Sequence, residues 1–266
     1  MSLHPAYGAF KEGLYLSNLA KGNIPGKSLI RVLGERESMS TTPAGEDIWR
    51  GNELTPAPTS NTELPRPDSA GEQMSVVSES VNDTALGSGT RSVMVHYLDS
   101  AGVDRETTVI MDGTTPVLLT PSDVRFINDF HVQSSGEGLV TDGHVKLYRT
   151  SDSGRVYSMI NSGGNKSMVP TFMVPTGHQL TVLSWHCEEA QAKRVNIRLR
   201  GTAIHNNLLE NIFLFKDVAY LKQTTAGPAP VYETFPPLSV IKITGWPDAV
   251  GAEVSCGFLG ELEALF

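Results

Sequence analysis

The most constraining feature of this chain is residues 194–200, Arg-Val-Asn-Ile-Arg-Leu-Arg, where polar and apolar side chains alternate without a break. Successive strand residues point to opposite faces, so Val195, Ile197 and Leu199 belong to a core, and Arg194, Arg198 and Arg200 share the outer face with Asn196. Upstream, Leu180, Val182, Ser184 and His186 alternate with Thr181, Leu183, Trp185 and Cys187. Between this run and Phe172-Met173-Val174 lies Pro175-Thr176-Gly177, which combines a preset φ with a position tolerant of positive φ. Residues 167–200 therefore read as three consecutive strands, with a hairpin at the Pro-x-Gly turn and a basic outer face.

The same texture extends through most of the chain. Short β-branched runs at 76–77, 93–97, 107–111, 124–132, 144–148, 156–160 and 168–174 are punctuated by turns such as Asp99-Ser100-Ala101-Gly102 and Asp112-Gly113-Thr114. Further strands read at 212–220, 238–243 and 253–259, and no strong helical period is visible beyond a turn near 206–210. This spacing predicts an all-β, antiparallel sandwich over residues 74–266 as one domain. Residues 1–73 look different. Apolar residues are scattered among glycines up to about residue 33, and Asn23-Ile24-Pro25-Gly26 breaks any helix begun at 14–20. Residues 38–72 are rich in Thr, Pro, Glu and Ser, a composition that buries too little surface to offset chain ordering. We read 1–73 as a long extended N-terminal arm that orders on assembly, with Ile48 and Trp49 as its anchors on a neighbour, since a linker has little use for a large aromatic.

Chemistry is sparse. The seven histidines, His4, His96, His131, His144, His178, His186 and His205, are well separated and no ligand spacing announces a metal. Cys187 and Cys256 read as buried free thiols. No Gly-x-Ser-x-Gly is present, and Gly163-Gly164-Asn165-Lys166-Ser167 resembles a phosphate loop only superficially, because its spacing is wrong and no helix follows. Glu188-Glu189 reads as a solvated loop, and Asp112, Asp142 and Asp152 as turn residues. No catalytic residue, cofactor or metal is expected, and a non-enzymatic role follows. The net charge of −8 argues against direct nucleic-acid binding. No apolar run approaches bilayer length and no signal-peptide pattern opens the chain, so a soluble protein without membrane contact is expected. Arg194, Arg198 and Arg200 are candidates for paired contacts with carboxylates on a partner.

Several stretches stand in a fixed order: Ser-Glu-Ser-Val-Asn-Asp-Thr-Ala at 78–85, Gly-Ser-Gly-Thr-Arg at 87–91, Asp-Gly-Thr-Thr-Pro-Val at 112–117 and Phe-Ile-Asn-Asp at 126–129. Tyr-Ser-Met-Ile-Asn-Ser-Gly-Gly-Asn-Lys-Ser at 157–167, Phe-Met-Val-Pro-Thr-Gly at 172–177 and Ser184-Trp185 complete the set. Together they resemble a family of tailed-phage virion proteins that decorate or cement the capsid. The resemblance implies a jelly-roll-like structural protein on the outer surface of the virion, partnered by the major capsid protein and by copies of itself, a dimer ahead of a trimer. It carries over no catalytic residue. A neck or tail component is the alternative, and a carbohydrate-binding sandwich a further one.

Overall fold

The computed structural model describes residues 5–54, 63–205 and 208–265. In chain order these form α1 (Pro5–Ala20), β1 (Lys27–Met39), β2 (Glu46–Asp47), β3 (Met74–Ser78), β4 (Thr90–Leu98), β5 (Asp104–Ile110), β6 (Val117–Leu118) and β7 (Phe126–Ser135). There follow β8 (Val145–Arg149), β9 (Asp152–Ile160), β10 (Thr171–Met173), β11 (His178–His205), β12 (Leu208–Phe235), β13 (Val240–Pro247) and β14 (Ala252–Ala264). Every ladder between these strands is antiparallel, and the fold is all-β and sandwich-like, as the alternation predicts.

Two β units share the chain. In the first, the sheet β6-β3-β8-β9 faces the sheet β5-β4-β7, and Met74, Val76, Val93, Val95, Phe130, Val145 and Leu147 interdigitate between them. Asp83 ties its loops together: the buried carboxylate accepts from Ser78 Oγ at 2.5 Å, Thr90 N at 2.6 Å, and Asp142 N and Gly143 N at 3.0 Å each. This explains the Ser-Glu-Ser-Val-Asn-Asp stretch as loop carpentry. The second unit is the sheet β1-β14-β11-β13-β10, with β12 on the other side of β11 and β2 on β13. The first half of β11 pairs with β14 and the second half with β13, yet inward residues from both wings, including Val182, Trp185, Ile197, Ile243, Val254 and Phe258, meet in one core. The sheet therefore curls around its own inner face.

The second unit corrects the expected division at residue 73. Its outer strand β1 runs beside β14 with Lys27 opposite Glu263, so the chain's first and last strands close one sheet and the sandwich of residues 74–160 is an insertion between them. Residues 27–54 are built into this sheet rather than extended as an arm: β1 and β2 pair within it, and Val32, Met39 and Ile48 lie in its core. The residues of the Pro-rich stretch at 55–62 lie outside the described set. Residues 46–47 are held by a buried ionic network. Arg36 Nε meets Glu46 Oε2 at 3.2 Å, Arg36 also donates to the carbonyl of Trp49, and Asp47 accepts from Lys242 Nζ and Thr244 Oγ1 at 2.9 Å each. Composition hid this, because charges that satisfy one another inside a fold count as polar in any tally.

Three further expectations change. The Pro-x-Gly turn is real, with Gly177 at φ +76°, but it is not a hairpin: β10 pairs with β13, while β11 leaves to join β14 and β12. The anticipated loop at Glu188-Glu189 is strand, so two of the three expected strands are one 28-residue strand. Glu189 is buried there and accepts from the backbone N–H groups of Gln191 and Gln223 at 2.8 Å, bracing a bulge in which Ala192 has φ +57°. Finally, α1 is a helix of 16 residues, stopped at Gly22 with φ +69° just before the Asn-Ile-Pro-Gly break. Of the turn expected near 206–210, residues 208–210 are strand and 206–207 are outside the described residues.

Candidate interaction surface

The structure separates the five residues singled out in the sequence. Ile48 and Trp49 are both 0% exposed: Ile48 belongs to the core of the curled sheet, and Trp49 packs on Val77, Tyr148, Val156 and Met159 of the sandwich's outer face. They are anchors, but between the two units of their own chain, and a completely buried ring has no surface left for a neighbour. That lid also explains why all five residues of β3 are buried: one face lines the sandwich core and the other lies under residues 49–54.

Arg194 is exposed, and Arg198 and Arg200 are half-buried on the outer face, opposite Val195, Ile197 and Leu199, which are nearly inaccessible. Register sets what surrounds them. Across β12, β11 and β13, Tyr220 sits beside Asn196 and Trp246, and Val218 beside Arg198 and Thr244. Arg200 lies between Phe215 and Lys242. A bulge between the pairs Leu199–Asp217 and Arg200–Phe215 keeps Phe215 on the same face as Val218 despite their odd spacing, which a strict period of two would misplace.

On this face cations and rings interleave. The Arg198 guanidinium lies 4.1 Å from the Phe215 centroid and 4.3 Å from that of Trp246, and these two rings meet edge to face at 6.1 Å. Arg200 is 5.3 Å from the Phe213 centroid, and Lys242 lies 4.5 Å from the same ring. Burial lowers the Arg200 pKa from its ordinary value, Asp47 and Glu63 opposing the shift. Stacking occupies the flat face of a guanidinium and leaves its N–H edge in plane, so Arg198 can still form a fork to a carboxylate. The aromatics in this stack were not legible as a cluster, because they converge from strands far apart in sequence.

The same band continues onto an open edge. Among the described residues β12 pairs with β11 and with no other strand, along 28 residues. On and beside it Tyr220 is 78% exposed, Phe215 54% and Leu214 47%. A long strand with free backbone groups and exposed rings is suited to pairing with another chain. Pro228 and Pro230 lack the N–H that a new ladder needs, which favours residues 208–227 as the pairing stretch.

No protein-family model matches the chain, and no curated protein matches it. Among solved structures it is similar to the 2.6 Å structure of T=1 particles derived from infectious bursal virus, at 12% identity over 94% of this chain and 83% of that one, with a TM-score of 0.19. The subviral particle of infectious bursal disease virus VP2 gives 8% identity over 95% and 82%, with a TM-score of 0.16. Likeness at that level carries no structural weight, and what the chain does is argued from its own geometry.

Proposed function

We propose that this chain is a virion structural protein that decorates and cements the capsid of a tailed phage, joining a second copy of itself through the β12 edge and the major capsid protein through the cation–aromatic band. The observation that carries it is the 28-residue strand whose outer edge has no partner among the described residues, flanked by exposed Tyr220 and Phe215. Two copies meeting edge to edge around a two-fold axis would satisfy both rows of backbone groups at once, which supports a dimer. Aromatic and arginine side chains are the types that dominate binding energy at protein interfaces, which supports the band containing Arg194, Arg198 and Trp246 as the capsid-facing surface. The order of motifs between residues 78 and 185 supports the virion setting. Bridging is then the work of the β11–β12 ribbon and not of an N-terminal arm.

The test is quantitative mass spectrometry and electron cryomicroscopy of purified virions, combined with the Tyr220→Lys variant. Copies numbering in the hundreds on the outer shell, with the variant monomeric and depleted from particles, are expected. A ring's worth of copies at one vertex would replace cementing with a neck or tail role. Absence from the particle would overturn the reading.

A further inference from the structure

The sandwich brings His96 beside two side chains, Asp129 and His131, from which the sequence separates it. Asp129 and His131 are two residues apart on β7 and so share a face, and β4 runs beside them with His96 directly opposite Asp129. One ligand atom from each of His96, Asp129 and His131 lies within 4.8 Å of the others. Nδ1 of His131 is 2.8 Å from Oδ2 of Asp129, and the two imidazoles stack with centroids 5.6 Å apart. Glu106, opposite His96 on β5, places Oε2 4.0 Å from His96 Nδ1. His96 and Asp129 also line a cavity of about 270 Å³ between the two β units, bounded on the far side by β1 residues such as Arg31 and Val32.

We propose that His96, Asp129 and His131 form a binding site for a divalent transition-metal ion, with Zn²⁺ as the fitting example. Two imidazole nitrogens and one carboxylate oxygen are a common donor set for this ion, and three protein ligands leave a fourth position open toward the cavity. Metal–ligand bonds of roughly 2.0–2.2 Å put tetrahedral ligands about 3.3 Å apart, a spacing that atoms within 4.8 Å of one another approach to about 1.5 Å or less. The ion takes the place of the proton held between His131 Nδ1 and Asp129 Oδ2. Lys166 stays on the other carboxylate oxygen, Oδ1, at 2.9 Å. With Nδ1 of His96 on the Glu106 side, at 4.0 Å and beyond hydrogen-bonding distance, Nε2 is the nitrogen left for the ion. The second acidic grouping, Glu35, Glu37 and Glu253, carries no such site, because it lacks an imidazole and Arg50 is paired with Glu35 and Glu37.

The inference stands apart from the virion reading, and its test needs no particle. The full chain, stripped with a chelator, is titrated with ZnCl₂ by isothermal calorimetry, alongside His96→Gln, His131→Gln and the control His144→Gln. Circular dichroism of each metal-free protein checks the fold, and Asp129→Asn replaces any variant that fails to fold. We expect one equivalent bound by the parent and by His144→Gln, and affinity lowered about tenfold or more in each ligand variant. Absence of saturable binding in the parent, or equal isotherms for parent and ligand variants, would overturn the proposal.

Discussion

Replacing Trp49 with alanine separates two physical pictures of the N-terminal segment. If Trp49 were an anchor for a neighbouring subunit, the isolated chain would lose nothing. In the structure the ring is fully buried against Val77, Tyr148, Val156 and Met159, and it ties the curled sheet to the sandwich. Burying a tryptophan removes roughly 200 Å² from water, worth about 5 kcal/mol at ~25 cal/mol per Å². Part of that is retained by the alanine methyl and part by collapse of the site, so the expected loss is about 3–5 kcal/mol. For a chain of this length that lowers the thermal midpoint by roughly 10 °C. Urea titration and thermal melts followed by far-ultraviolet circular dichroism measure it on the purified protein, without any partner. A loss below about 1 kcal/mol would refute the intramolecular latch, since a cavity of that size cannot be so cheap in a packed core. Gly51 offers an independent check: a Cβ there would collide with the Trp49 ring, so Gly51→Ala is expected to destabilise the same junction.

Other expectations follow from single sites. Asp83→Ala strands the amides of Thr90, Asp142 and Gly143, and should cost about 3 kcal/mol with faster hydrogen exchange at those three amides; unchanged exchange would contradict the loop-tie role. Burial, with Asp217 adding to it, pushes the Cys187 thiol up to about 12, and burial raises Cys256 as well. Neither should react with a thiol reagent at pH 8 until denaturant is added, and rapid labelling of the native chain would contradict their packing. Burial, helped by Arg31, lowers the His186 pKa, so the folded state binds its proton less readily than the unfolded state does. Its contribution is therefore present above the ordinary histidine value and lost as pH falls through the lowered one, and denaturation midpoints of His186→Gln should depend less on pH over that acid range.

Local pattern was readable because it depends on neighbours in sequence. Val195, Ile197 and Leu199 could be assigned to the core from alternation alone, and Gly177 to a turn, since a strand face and a positive φ are properties of a few consecutive residues. Partner choice was not readable. Whether β11 turns back on β10 or leaves for β14 is decided by pairing across separations from 65 (Glu189 with Val254) to 86 residues (His178 with Ala264), and nothing near Pro175 encodes it. The arm was misjudged because Arg36, Glu46 and Asp47 look solvated until their partners are known, and Lys242 is 195 positions from Asp47. The His96–Asp129–His131 cluster was passed over for the same reason: Asp-x-His on one strand acquires its third member only through register with the next.

The pairing of β1 with β14 has a consequence for synthesis. The inserted sandwich draws its core from residues 74–160 and can form while the chain is still emerging, but the curled sheet waits for β14, which is made after every other described strand. Until then β1 and the half of β11 at residues 178–189 that pairs with β14 are exposed together, a high-contact-order intermediate of the kind that folds slowly and pairs with its neighbours. β1 is held open longest, and the half of β11 that waits with it neighbours β12, whose outer edge has no strand partner among the described residues, so pairing between copies has its opportunity before the fold is closed.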